Sequence, residues 1–197
     1  MTTRLYLTAG TNGGIWIGKP NTETSSGVLT KEDSGTTEAL YQAATNMTTA
    51  STYQVVIVGE GGGIFLSNRT GEAPSTWTKV HQDTKPLFAC AYGNGVWIAA
   101  GENNTILSSS NGTTWTARTG PIKDANWRWA EYGAGQFIVV GGPPTIDKGY
   151  IMSSPDGVTW TRLESGVKKN LQAIAYSPEL NTFAVVGNDG TILTGSF

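Results

Sequence analysis

The sequence predicts an all-β chain, a five-bladed β-propeller with incomplete first and last blades. Three observations carry the prediction. A strand–glycine–turn–strand unit recurs five times; a Thr-Trp-Thr strand follows several of the units; and no stretch sustains the 3.6-residue apolar period of a long helix.

The recurring unit reads LYLTAGTNGGIWIG from Leu5, VVIVGEGGGIFLS from Val55 and VWIAAGENNTILSS from Val96, then FIVVGGPPTIDKGYIMSS from Phe137 and FAVVGNDGTILTG from Phe183. Its strand-ending glycines, Gly10, Gly59, Gly101, Gly141 and Gly187, are separated by 49, 42, 40 and 46 residues. A period in the forties with several strands per unit is the pattern of a propeller. Before the unit stand FACAYG (88–93), WRWAEYG (127–133) and LQAIAYS (171–177), with ALYQAAT (39–45) a weaker version. After it stand TWTKV (76–80), TWTAR (114–118) and TWTRL (159–163), with GVLTKED (27–33) a poorer copy. The chain is therefore expected to be one domain over 1–197, with repeats at about 1–35, 36–84, 85–123, 124–168 and 169–197. Strand counts of three, four, four, four and three are expected. The open terminal blades would then be templates for strand addition, closed by Met1 to Arg4 or by another chain, unless both are simply three-stranded.

Composition agrees. The chain has 197 residues, 14% of them charged, with 26 glycines, enough for one hydrophobic core and rich in turns. A net charge of −2 gives no reason to expect nucleic acid, and no apolar run approaches a membrane span. The opening MTTRLYLTAG lacks a basic region followed by an apolar core, so no secretory signal is expected.

Two turns recur in detail, SSSNGTTWT and SSPDGVTWT. Asn-Gly and Asp-Gly supply the positive dihedrals of a tight reversal, and the Asn111 or Asp156 side chain can accept turn amides. Trp115 and Trp160 then begin the outer strand, where each indole can pack over its turn and contribute roughly 1.5–3 kcal/mol. The turn is thus read as a structural staple. These residues resemble the Asp-box (BNR-like) repeat: Ser154, Asp156, Gly157, Thr159 and Trp160 match its pattern, as do Ser109, Asn111, Gly112, Thr114 and Trp115 with Asn for Asp. Both turns are one residue short before the glycine, a variant associated with phage and bacterial propellers. The second repeat keeps only Ser67 and Thr76-Trp77. The resemblance implies a bacteriophage virion component, in a tail, fibre or capsid decoration, located in the virion or the producing cell's cytoplasm. It would act through other virion or assembly proteins. A carbohydrate-binding propeller and an assembly factor resembling the Asp-box photosystem-biogenesis proteins are the alternatives.

No catalytic constellation is expected. The five arginines, Arg4, Arg69, Arg118, Arg128 and Arg162, do not form a sialidase-like cluster, since Arg118 and Arg162 read as equivalent outer-strand residues. His81, the sole histidine, reads as a loop residue, and Cys90 as a small core residue. No cofactor or metal is expected: the Gly-rich turns lack the features of a phosphate cradle, and no Cys/His cluster is present. The most unusual segment is TGPIKDANWRWAEYG (119–133), where Trp129 and Glu131 replace alanines of the sister strands. Strand alternation would place Trp127, Trp129 and Glu131 on one side, with Arg128 and Tyr132 on the other. Those three residues, with Lys148 on the longest inter-strand insertion, are the candidate ligand site. The competing reading is an irregular blade that fills space.

Overall fold

The computed structural model describes residues 6–18, 29–47, 52–70 and 75–196. Short runs of alternating or fully apolar residues between Gly, Asn and Asp turns form eighteen strands. Sheet 1 holds β1 (Tyr6–Ala9), β2 (Gly14–Gly18) and β3 (Leu29–Asp33). Sheet 2 holds β4 (Leu40–Thr45), β5 (Thr52–Gly59), β6 (Gly63–Thr70) and β7 (Thr78–Gln82). Sheet 3 comprises β8 (Leu87–Gly93), β9 (Val96–Gly101), β10 (Ile106–Ser109) and β11 (Thr116–Ala117). Sheet 4 comprises β12 (Asn126–Gly133), β13 (Gln136–Gly142), β14 (Tyr150–Ser154) and β15 (Thr161–Leu163). Sheet 5 is β16 (Leu171–Ser177), β17 (Thr182–Gly187) and β18 (Ile192–Gly195). All pairings are antiparallel between chain neighbours. Met1 to Arg4, the expected in-cis closure, and Phe197 lie outside the described residues.

Sheets 2, 3 and 4 are apolar on both faces because each is sandwiched between two others. Ile15, Ile17 and Ile57 fill the layer between sheets 1 and 2; Val56, Leu66, Cys90 and Trp97 fill that between sheets 2 and 3. Ala89, Ile98, Trp127, Val139 and Met152 lie between sheets 3 and 4, and Ile138, Val140, Leu171 and Phe183 between sheets 4 and 5. The first strand of each of sheets 2 to 4 packs on the first strand of the next. No such layer joins sheet 5 to sheet 1 among the described residues, and the last sheet leaves Val186 and Ile192 44% and 71% exposed.

Two glycine rules set this spacing. A Cβ on Gly101 would lie 2.0 Å from the Pro86 carbonyl oxygen, and one on Gly141 2.1 Å from that of Asn126. Each repeat glycine therefore lets the chain enter the neighbouring first strand. At the other end, a Cβ on Gly93 would lie 2.1 Å from the Tyr132 ring, and one on Gly133 2.3 Å from Tyr176. The glycines that end β8 and β12 thus seat Tyr132 and Tyr176, each on the bare backbone of the preceding sheet. Tyr132 and Tyr176 in turn pack edge-on or tilted against Phe137 and Phe183 of their own sheets.

Sheets 1 and 2 are also joined by a buried ion pair. Arg69 donates to both Glu32 oxygens at 2.8 and 2.9 Å, and the Trp77 indole donates to Glu32 at 2.9 Å. Burial alone would raise the Glu32 carboxyl, but Arg69 and Trp77 outweigh it and hold the group below its ordinary range.

The two staple turns are built alike. The Ser109 and Ser154 hydroxyls donate to Asn111 and Asp156 and accept the amides of Gly112 and Gly157. Asn111 accepts the amides of Thr113 and Thr114, and Asp156 those of Val158 and Thr159, each within 2.9 Å. These amides, those of Thr159 and Val158 first, hold the Asp156 carboxyl below the usual aspartate value. Only the glycine of each pair takes positive φ, +75° at Gly112 and +68° at Gly157; the Asn or Asp works through its side chain. The Trp115 indole donates to Gly112 O, closing over its turn, whereas Trp160 is buried in the layer between sheets 3 and 4.

Gly133→Ala is expected to destabilise the fold by about 1–3 kcal/mol through overpacking against Tyr176. Gly195→Ala, with open space around it, is expected to change stability by less than ~0.5 kcal/mol. Urea unfolding of both variants checks this.

Candidate functional site

The first strands of sheets 2 to 5 share a register shift at their start, after Leu40, Leu87, Trp127 and Leu171. In sheet 4 the inserted residue is Arg128: Trp127 lies opposite Gly141 and Trp129 opposite the very next residue, Val140. A bulge of this kind breaks strand alternation, so the expected common face does not form. Trp127 joins Ala130 and Tyr132 on the side of sheet 3, while Trp129 shares the side of sheet 5. Trp127 is fully buried and its indole donates to Asn104 Oδ1 at 3.0 Å, which makes it a core residue. The inserted residues meet one another instead. Tyr41 packs edge-on against Phe88 at 5.1 Å, and the Arg128 guanidinium lies 4.7 Å from the same ring.

Gln42 holds the centre. Its Nε2 donates to Ala130 O at 2.7 Å, and its Oε1 accepts from Ala130 N at 3.1 Å and Cys90 N at 3.2 Å. The Cys90 thiol donates to Gln42 O, and burial pushes that thiol far above its ordinary value. One amide, standing on sheet 2, therefore satisfies backbone groups of sheets 3 and 4. Sequence reasoning missed it, because a lone Gln in the weakest repeat gives no signal.

Beside Gln42 opens a cavity of about 450 Å³, lined by Leu7 and Ala9 of β1, Tyr41 and Ala44 of β4, Met47, and Trp129 reaching in from sheet 4. Its lining is largely apolar with aromatic walls, the chemistry of a small-ligand or peptide cleft. Of the four expected ligand residues, only Trp129 lines it. Glu131 lies opposite Ile138, on the side of sheet 5, and burial pushes its carboxyl up to about 7 against the lowering effect of the Tyr132 amide. Lys148 stands on the connection before β14, its ammonium 5.5 Å from the Tyr150 ring.

The remaining chemistry-bearing residues do not converge. His81 lies within β7 opposite Ile64, not in a loop, and its Nε2 is 3.9 Å from Asp83. Arg162 faces Met152, whereas Ala117, one residue before Arg118, faces the corresponding Leu107; the two arginines are one place out of register, not equivalent. Arg118 bonds Ser108, and Arg162 bonds Glu164. No group of His, Cys, Asp and Glu able to hold a metal occurs among the described residues. No helix among them is long and apolar enough to cross a membrane.

No known family matches this sequence, and no curated protein does. Solved structures match by fold. The WD40 β-propeller domain of Doa1 superposes with a TM-score of 0.68 at 12% identity, covering 96% of this chain and 60% of that one. A chain of the nidogen–laminin complex gives 0.68 at 11% identity, covering 94% of this chain and 70% of that one. The computationally designed Ika4 protein gives 0.58 at 11% identity, covering 81% and 92%. The chain thus has a β-propeller fold, and it spans about six- to seven-tenths of the first two proteins.

Gln42→Leu is expected to lower unfolding free energy by about 2–4 kcal/mol, since it leaves buried backbone groups of Ala130 and Cys90 unpaired; chemical denaturation measures it. Glu131 is destabilising when charged, so its contribution is most favourable below its unfolded value of 4.5. That contribution fades as pH rises toward 7. Glu131→Gln is therefore expected to be more stable than the parent at pH 8, with the gap shrinking toward pH 4.5; thermal melts across pH read it.

Proposed function

We propose that this chain is a non-catalytic, five-bladed propeller with incomplete first and last blades, working as a protein-interaction module in a larger assembly. The observation that carries this reading is the pair of terminal sheets. Sheets 1 and 5 hold three strands each among the described residues, and β1 and β18 have one unpaired edge each. Exposed edges of this kind are templates for strand addition from another chain. The two Asp-box-like turns support placing that assembly in a bacteriophage virion, as a tail, fibre-associated or capsid-decorating protein. Among the described residues no acid, base and nucleophile converge, which supports the non-catalytic part.

A carbohydrate-binding role is favoured by one observation only, the exposure of Trp129 and Tyr41 to an open cavity. The burial of Trp127 removes the second indole that a stacking platform for a sugar would use.

A density map of the native particle tests the proposal. It is expected to show neighbouring chains against β1, β18 or both. A particle in which both edges face solvent overturns the interaction reading. Glycan-array binding that disappears in Trp129→Ala turns it toward the lectin.

A further inference from the structure

Sheets 2 to 5 each begin with a first strand whose entry is marked by the same two contacts. The residue after the repeat glycine donates its amide to the carbonyl at that entry: Glu60 to Ala39, Glu102 to Pro86 and Asn188 to Asn170, each at 2.9 Å. In sheet 4 the corresponding Gly142 is paired with Asn126 in the ladder itself. The repeat glycine makes room for the same carbonyl, which lies 3.2, 2.0, 2.1 and 2.6 Å from the Cβ positions of Gly59, Gly101, Gly141 and Gly187.

Among the described residues, sheet 1 carries the receiving half of this arrangement without the strand. Gly10 occupies the repeat position, yet among the described residues a Cβ there meets nothing nearer than the Trp16 ring at 3.7 Å. Thr11, the counterpart of Glu60 and Glu102, finds no carbonyl for its amide among the described residues. Among the described residues β1 itself is paired only with β2. The cavity described above lies along this edge, between Leu7 and Ala9 on one side and Tyr41, Ala44 and Met47 on the other. It continues the series of first-strand contacts that runs from β4 to β8, β12 and β16.

We propose that this cavity is a strand-acceptor groove, which takes an extended segment of another polypeptide as the first strand of sheet 1, antiparallel to β1. The site deepens the interaction-module reading and rests on it. The sister strands define the chemistry of the guest. Opposite the counterparts of Ala9, Thr8 and Leu7, sheet 3 places Ala89, Cys90 and Ala91, and sheet 5 places Ala173, Ile174 and Ala175. A bulky or charged residue at the outer two positions would meet Tyr41 and Ala44. The guest is therefore a short, uncharged segment with small aliphatic residues at alternate positions, and its entry carbonyl accepts the Thr11 amide.

The probe is a synthetic peptide with the sequence of residues 171–177, Leu-Gln-Ala-Ile-Ala-Tyr-Ser, flanked by lysines for solubility and added to the full chain. Binding is expected to alter the tryptophan emission, a change lost in Trp129→Phe, and to slow hydrogen exchange at 7–9 and at Thr11 at least tenfold. The same peptide with Ala173→Lys and Ala175→Lys is expected to bind at least tenfold more weakly. Ala9→Trp fills the groove and is expected to abolish binding; Met47→Ser, on the exposed rim, weakens it several-fold without a folding risk. Absence of binding at millimolar peptide, binding that leaves the β1 amides unprotected, or equal binding of the lysine peptide overturns the groove. Binding that appears only after Met1 to Arg4 are removed overturns the guest in favour of the chain's own strand. A native-particle map with a neighbour on β18 and none on β1 would sink the groove while leaving the interaction module standing.

Discussion

Everything in this molecule depends on how closely one sheet can lean on the next. Sheets built of twisted strands pack face to face only if the side chains between them interlock, and around a common axis that space narrows toward the first strands. Here the narrowing is met by removing side chains. Gly93 and Gly133 receive the rings of Tyr132 and Tyr176, and the repeat glycines receive the carbonyls entering each first strand. The apolar layers further out can then be filled by ordinary Ile, Val, Leu and Phe residues.

The same constraint explains the polar residues buried near the axis. Register shifts at the start of four first strands leave backbone groups of Cys90 and Ala130 facing inward, and the Gln42 amide satisfies them. An unpaired amide in that position would be costly, so a single side chain of the right length ties three sheets together. At the outer side of sheets 1 and 2, the Glu32–Arg69 pair performs a comparable task with charge, aided by the Trp77 indole. Such a pair fixes which sheet lies where more than it adds net stability.

Among the described residues the series of layers runs from sheet 1 to sheet 5. Among the described residues, sheet 5 has a face bearing the exposed Val186 and Ile192 with no layer joining it to sheet 1, and β1 has an unpaired edge beside a cavity. A propeller fold does not specify a function by itself. The interaction reading therefore starts from the two three-stranded sheets at the ends of the described series.

By itself the sequence determined the repeat and its punctuation. Glycines at intervals of 40 to 49 residues and Asn-Gly or Asp-Gly turns are local signals. The five antiparallel sheets and the paired Ser–Asn and Ser–Asp turns follow from them directly. Two-residue periodicity failed at Trp127, because one inserted residue, Arg128, sends the indoles to opposite faces, and nothing in the string WRWAEYG marks a bulge. His81 lies in a strand and not a loop for a similar reason: β7 runs on to Gln82 because Ile64 pairs with His81, and Gly63 with Gln82, across the sheet. Only the tertiary structure decided that Gln42 is the central tie and that Trp129, Tyr41 and Met47 line one cavity. Those contacts join residues as many as 88 positions apart, and they depend on which strands meet around the axis, which no short-range pattern in a chain encodes.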